Sequence, residues 1–350
     1  MAQKYAKDQP VGFTNRIERV AIVGAGGQLG RHIAKALVQT GRHTVTALTR
    51  VGSKNELPEG VVAAPVDYAD ESSLEAALKG QQFLIITLAV TAPQGTHSAL
   101  VRAAARAGVA YVMPNAYGFD PNDEALARDD VLGSTADGRR WCEEIESLGV
   151  SAWIALTCGF WYEYSLVAVS PIALGLDHDR KTITLYDEGE TRVNLTTFEQ
   201  CARAVAALVS LKELPDDEDD AAPAVSRWRN KPLYIASFTL NQREMLESWE
   251  RVTGEKWTVE KEPVKERYRR GIEAMQAAGG DPLAARMGAA LASFARAFYS
   301  EGGANYESTR GLANDLLGLP KEDLDARTRA AKQMLDDGYA TWVFGRLQNS

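Results

Sequence analysis

Only three cysteines and four histidines occur in the 350 residues. Cys142, Cys158 and Cys201 are odd in number and sit at no metal-ligand spacing. That argues against a disulfide scaffold and against a Cys/His metal site. No apolar run approaches the roughly 18 residues needed to span a membrane. The opening stretch MAQKYAKDQPVGFTNRIE lacks the apolar core of a secretory signal. Lys and Arg (39) fall short of Asp and Glu (47), giving a net charge of −8. This balance disfavours broad nucleic-acid binding, which needs clustered cations, but leaves room for a small anion held by a few local ones. The expectation is a cytoplasmic chain acting on a small molecule, with neither nucleic acid nor membrane as partner. A second copy of the chain or a regulatory protein stays open as a partner.

Hydrophobic residues at 45% and charged residues at 25% are ordinary for a globular protein with a large core. Through the first 160 residues, strand-like and helix-like patterns alternate. Arg19–Val23 runs into glycines, and Leu29, Ile33 and Leu37 then recur at i+4 until Gly41, as in a helix with one buried face. Further strands are predicted at Thr44–Thr49, Val61–Val66, Phe83–Leu88, Tyr111–Met113 and Ala152–Leu156. Helices are predicted at about Ser72–Lys79, Gly95–Ala107 and Gly138–Leu148. Such alternation implies a parallel sheet covered on both faces.

Beyond Phe160 the rhythm changes. A strand at Thr182–Tyr186, a helix near Thr197–Leu211 and a returning strand at Leu233–Phe238 are predicted. Pro215–Pro223 is acidic and reads as a solvated loop. Asn241 and Glu244 have capping-box spacing. From Pro263 to about Gln333 the chain reads as helical, broken at Gly279-Gly280 and Gly302-Gly303. The fold class expected is α/β, a doubly wound parallel sheet with a smaller, mainly helical substrate domain. The first domain is placed at 1–165, with returning segments near 191–211 and 232–240. The second takes 166–190 and 241–350.

Gly24-Ala25-Gly26-Gly27-Gln28-Leu29-Gly30 follows the first strand and opens the first helix. It reads best as G-x-x-G-x-x-G on Gly24, Gly27 and Gly30. A dinucleotide diphosphate needs glycine there for the turn and for close backbone approach, and the helix N-terminus faces the phosphate with free N–H groups. The second strand ends in Arg50, where a carboxylate would mark a site for the unphosphorylated cofactor. A guanidinium suits a 2′-phosphate, and Lys54 adds a second cation, so NADP(H) is expected. Asp67 and Tyr68 after the third strand are placed at the adenine. Leu88, Ala89 and Val90 after the fourth are placed beside the ribose and diphosphate. Asn115, Cys158 and Phe160, after the fifth and sixth, are placed near the nicotinamide.

The glycine loop, Ala47-Leu48-Thr49-Arg50, Met113-Pro114-Asn115-Ala116-Tyr117-Gly118, Cys158-Gly159-Phe160 and Asn305-Tyr306-Glu307-Ser308-Thr309-Arg310-Gly311 occur in that order. In this the chain resembles the NmrA-like and isoflavone reductase-like group of atypical short-chain dehydrogenases/reductases, and most of all its fungal CipA-like members, from about Arg19 to Lys332. The resemblance implies a Rossmann fold and NADPH-dependent reduction of small, often aromatic molecules. It equally admits a redox sensor that binds the cofactor without turnover.

The catalytic signature departs from that pattern. No tyrosine has a lysine four residues later, and no lysine lies between Lys79 and Lys181. The family's catalytic lysine belongs on the helix that here reads Ala136-Asp137-Gly138-Arg139-Arg140. Arginine stays protonated and is no proton donor. Tyr117 is the remaining candidate acid. Phe160, Trp161, Tyr162, Tyr164 and Arg140 are the expected substrate lining. Arg139 and Arg140 also suit helix-surface ion pairs, and His97 and His32 suit structural roles. The function expected is an NADPH-dependent reductase of a small aromatic or heterocyclic metabolite, acting on C=O, C=N or activated C=C. The alternatives are the sensor and a cofactor-retaining isomerase or cyclase.

Overall fold

The computed structural model describes residues 5–301 and 303–341. Gly302 of the expected Gly302-Gly303 break, and the outermost limits of both expected domains, lie outside the described residues.

The chain opens with β1 (Arg19–Val23), α1 (Gln28–Gln39), β2 (Thr44–Arg50), β3 (Val62–Val66), α2 (Glu71–Leu78), β4 (Phe83–Ile86) and α3 (Thr96–Arg106). It continues through β5 (Tyr111–Met113), α4 (Glu124–Asp129), α5 (Ser134–Ser147), β6 (Ala152–Thr157), β7 (Phe160–Trp161), α6 (Tyr162–Val167) and α7 (Ser170–Ala173). Then come β8 (Leu176–Asp177), β9 (Thr182–Tyr186), β10 (Val193–Thr196), α8 (Phe198–Val209), β11 (Lys231–Tyr234), β12 (Phe238–Leu240) and α9 (Gln242–Thr253). β13 (Thr258–Glu262), α10 (Val264–Gln276), α11 (Pro282–Ala297), α12 (Glu307–Arg310) and α13 (Leu324–Asp336) complete it.

Seven strands form one parallel sheet in the order β11-β6-β5-β4-β1-β2-β3. Its central strands are apolar on both faces, as a sheet sandwiched between helices requires. Ile22, Ile33, Leu37, Ile154 and Val205 fill one side beneath α1 and α8. Leu74, Leu84, Ile86, Val101 and Ile145 fill the other, beneath α2, α3 and α5. Pro65 lies in edge strand β3, exposed, where its missing N–H costs no ladder bond. The order reverses beside β1, between β2 and β4, and open α/β sheets bind ligands at the carboxyl ends there.

A second body rests on that edge of the sheet, with its own core around Phe160, Tyr162, Tyr186, Trp249 and Phe298. It is not helical alone, for it carries two three-stranded sheets, β12-β10-β7 and β13-β9-β8. The strand expected at Leu233–Phe238 is two strands in two sheets. The Ile235 N–H still bonds the Thr157 carbonyl of β6, whereas the Ser237 N–H bonds Leu195 of β10. The chain thus hands over between layers within three residues. Asn241 and Glu244 close the expected capping box on α9.

Candidate functional site

The glycine turn is shaped by Thr87, at the end of β4. The Thr87 hydroxyl donates to the Val23 carbonyl at 2.6 Å, tying the ends of β1 and β4 together. Gly24 has φ +81°, and a Cβ there would overlap the Thr87 carbonyl and stand 2.7 Å from its hydroxyl. A Cβ on Gly30 would overlap the Gly24 carbonyl and stand 2.5 Å from the same hydroxyl. Glycine is therefore imposed twice, by backbone conformation and by space. The Gly27 N–H closes the turn onto the Gly24 carbonyl at 2.8 Å. Gly27 caps α1 with no side-chain acceptor, and no acid stands in its first turn. The helix thus offers its N–H groups and positive end outward, in the arrangement that receives a phosphate. Ala25 and Leu29 have buried side chains, so they can serve a ligand only through their backbone.

Arg50 and Lys54 are exposed, and among the described residues neither has an ion pair. Their loop bends back so that the Glu56 carbonyl lies near Gly26. The loop that follows Arg50 and carries Lys54 thus returns to the glycine turn. Asp67 is exposed and accepts the Ala69 N–H at 2.9 Å. Tyr68 spends its hydroxyl on the Leu48 carbonyl at 2.9 Å, and burial pushes that phenol up to about 12. Ala89 and Val90 are exposed after β4, Val90 at 61%. Val51, beyond Arg50, is 73% exposed, so bare apolar surface flanks the turn on both sides.

Asn115, after β5, does not face outward. Its amide brackets Leu88, accepting the Leu88 N–H at 3.0 Å and donating to the Leu88 carbonyl at 3.3 Å. The Asn115 N–H in turn donates to His97 Nε2 at 3.3 Å. His97 is buried and stacks on Trp141 with centroids 4.3 Å apart. Burial, aided by the charge of Arg140, pushes its imidazole down to about 3, so it is neutral with Nδ1 protonated. The loop after β4 is thus set by a clamp of two side chains.

Several expected lining residues are corrected by their surroundings. Cys158 is fully buried, and the Cys158 and Gly159 N–H groups both bond the Gly118 carbonyl at 2.9 Å. Phe160 is walled in by Phe119, Phe294 and Phe298 at centroid distances of 5.1–5.7 Å. Tyr162 is fully buried, with its hydroxyl 2.7 Å from Thr328 on α13. Arg140 points along the surface of α5 and pairs with Asp137 at 2.9 Å, while Arg139 pairs with Glu124 and Glu143. Trp161 and Tyr164 stay half-buried, edge to face at 5.9 Å, on the side of α1 where Phe198 stacks on His32.

Tyr117, the expected acid, is corrected for the same kind of reason. Its hydroxyl is buried and lacks a hydrogen-bond partner among the described residues. Burial pushes that phenol well above 10, with Cys158 and Cys201 adding to the effect. A proton held there has no acceptor in reach. Tyr164 is half-buried and packs against both cores. Burial raises it, and the charge of Arg286 on α11 works against that rise.

Two groups at the site carry no local sequence signal. Tyr339, beyond α13, accepts the Gln28 Nε2 hydrogen bond at 2.6 Å, so the end of the described chain touches the first residue of α1. Glu163, at the start of α6, is buried and accepts the Phe198 N–H at 3.3 Å, and burial pushes its carboxyl up to about 7.

Residues 24–146 match the family described as NAD(P)H-binding, and that segment is a dinucleotide-binding domain. The chain is 29% identical over 315 residues to the oxidoreductase aprR of Aspergillus flavus, covering 88% of this chain and 96% of that protein. It is 27% identical to the isoflavone reductase homolog IRL of Zea mays, covering 67% and 74%. The structure AtPrR2 with NADP+ and (+)pinoresinol shares its fold, with TM-score 0.69, 19% identity and coverage of 91% and 100%. The chain is thus similar to fungal oxidoreductases and to an isoflavone reductase homolog, and it shares the fold of a pinoresinol reductase, which is consistent with the NmrA-like and isoflavone reductase-like group.

Proposed function

We propose that the protein is an NADPH-dependent reductase of a small aromatic or heterocyclic molecule. The observation that carries the cofactor reading is the glycine cradle around Thr87, approached by the loop of Arg50 and Lys54, which make no ion pair among the described residues. A diphosphate fits where a Cβ would collide, and a ribose 2′-phosphate fits the two cations. The reductase reading is supported by the oxidoreductase names of aprR and of Escherichia coli quinone oxidoreductase 2, and by the NADP+ bound to AtPrR2.

When bound, the cofactor supplies a hydride from the nicotinamide C4 to a C=O, C=N or activated C=C carbon. The protein orients the two reactants and keeps water out. The His97–Asn115 clamp fixes the loop beside the cofactor. In this reading the half-buried Trp161 and Tyr164, edge to face, are the aromatic wall, and Tyr164 returns the proton.

Titrating the protein with NADPH and with NADH, for the native chain and for Arg50→Ala, tests the cofactor reading. A charge-assisted guanidinium–phosphate contact contributes about 1.5–3 kcal/mol, so Arg50→Ala should weaken NADPH by about 10- to 100-fold. NADH should bind both proteins equally. An unchanged preference refutes the reading. The sensor reading is favoured by one observation, the burial of Tyr117 in a chain without the family's lysine. Tight NADPH binding with no oxidation of the cofactor by any aromatic ketone, imine or enone would decide for it.

A further inference from the structure

α13 braces the two bodies of the molecule. At its start, Gln200 Nε2 of α8 donates to the Pro320 carbonyl at 2.8 Å, and Thr197 Oγ1 donates to Glu322 at 2.8 Å. Arg327 pairs with Glu199 of α8 at 2.9 Å. Further along, the Thr328 hydroxyl lies 2.7 Å from Tyr162 of α6 and 2.7 Å from Ser248 of α9. Arg251 of α9 pairs with Asp325 at 2.8 Å. None of these ties involves the glycine turn.

The chain leaves α13 through Gly338, whose φ of +78° turns it out of the helix, as a glycine just past a helix end does. Leu335, Tyr339 and Ala340 then pack on the second core, as Tyr164 does. From that seat Tyr339 reaches the sheet body and accepts the Gln28 Nε2 hydrogen bond at 2.6 Å. Gln28 is the first residue of α1, directly after the Gly27 cap, and it follows three glycines in four residues. The contact uses only the Gln28 side chain. Among the described residues the backbone N–H groups of Gln28, Leu29 and Gly30 meet no protein acceptor, so this strap touches the turn and leaves its phosphate-facing donors uncommitted.

We infer, on the reading of that turn as the diphosphate cradle, that the strap after α13 belongs to the cofactor site. Tyr339 is a positioning residue that holds Gln28 and with it the first turn of α1, and NADP(H) binding is coupled to docking of the strap. A glycine-rich turn loses much backbone freedom when a ligand fixes it, and a bond that already holds its first helical residue lowers that cost. A neutral hydrogen bond has a modest net worth, so Tyr339 tunes affinity by a factor of about 2–10 and does not create it. The coupling is reciprocal. The factor that Tyr339 contributes to cofactor binding is the factor by which bound cofactor favours docking of residues 338–341. A bond that merely joined two packed bodies would be as strong with the site empty as with it filled.

The test measures NADPH affinity by calorimetry for the native chain, Tyr339→Phe, Gln28→Leu and the double variant, together with hydrogen exchange at 338–341 with and without NADPH. Tyr339→Phe keeps the ring on the second core and removes only the hydroxyl. Each single variant should bind NADPH about 2- to 10-fold more weakly, and the double variant no more weakly than the weaker single one, because both remove one contact. NADPH should slow exchange at 338–341 by a like factor in the native chain and not in Tyr339→Phe. Additive losses in the double variant, or exchange at 338–341 indifferent to NADPH, overturn the inference. So does tighter binding by Tyr339→Phe, the mark of a strap that obstructs the cradle. Native binding left untouched by Tyr339→Phe sinks the strap alone, whereas a native chain that binds no NADPH sinks the cradle reading and the strap with it.

Discussion

Replacing His97 by phenylalanine keeps a ring against Trp141 and removes a buried group that refuses a proton. Burial takes the imidazole from 6.5 down to about 3 in the folded chain. Below 6.5 the unfolded chain binds a proton that the folded one does not. The contribution of His97 is therefore intact above 6.5 and is lost as the pH falls toward 3. Linkage gives the loss as RT ln[(1+10^(pKU−pH))/(1+10^(pKN−pH))], or about 2 kcal/mol between about pH 7.5 and about pH 5.

The variant starts lower, by about 1–3 kcal/mol, because the Asn115 N–H loses its acceptor. Its acid sensitivity should nonetheless be smaller. Urea unfolding of both proteins at the two pH values yields a double difference, in which every other titrating group cancels. The stability gap should close by about 2 kcal/mol on acidification. A gap that stays constant would mean that His97 is protonated at little cost, and the neutral clamp would be refuted. Since His97 acts on Leu88 through Asn115, NADPH affinity in the variant should fall at neutral pH as well.

Gly30→Ala places a methyl group against the Gly24 carbonyl and 2.5 Å from Thr87 Oγ1. It should cost about 1–3 kcal/mol in urea unfolding and abolish measurable NADPH binding. Glu163→Gln should act at the other end of the pH scale. Burial raises Glu163 from 4.5 to about 7, so the native chain loses stability as the pH rises through that window. Relative to the native chain, the variant should gain about 2–3 kcal/mol between pH 5 and pH 8, and parallel stability profiles would count against it. Tyr117→Phe deletes a buried hydroxyl that has no partner, so stability should hold or rise by up to about 1 kcal/mol and NADPH oxidation should be unchanged. A large fall in turnover without unfolding would restore Tyr117 as the acid.

The sheet was legible because its signals are local. Apolar runs of four to seven residues, glycine punctuation and i+4 recurrence determine β1, α1 and their neighbours over short distances, and tertiary packing reinforces each of them. β10 alternates apolar and polar over only four residues, Val193 to Thr196, and all four are buried, so the pattern is too short to mark a strand and gives the wrong burial for its polar half. β13 reads Thr-Val-Glu-Lys-Glu and exists because it pairs with β9, not through its own propensity. At the site, the glycines and Arg50 could be found because their chemistry sits in consecutive residues. The burial of Tyr162 by Thr328, and the contact of Gln28 with Tyr339 across 311 positions, depend on how the second body docks. No spacing rule encodes that.

Aromatic residues after β6 were expected to line a pocket because they follow a sheet edge. Side-chain direction divides them instead. Phe160 and Tyr162 turn into the second core, Trp161 packs on the sheet side, and Tyr164 touches both. The same division explains why the missing lysine has no substitute on α5. Both arginines there are committed to acids on their own helix or on α4, and Tyr117 faces inward. The aromatic residues after β6 that keep some exposure, Trp161 and Tyr164, come from chain that sequence periodicity assigns to no catalytic motif. On the proposed reading the glycine turn offers the diphosphate its backbone geometry, while Arg50 and Lys54 supply the preference for the phosphorylated cofactor. If the reductase reading holds, recognition of the substrate is left to residues outside α5, so turnover should be indifferent to substitution of Arg139 and Arg140, and a large loss in either variant would refute this.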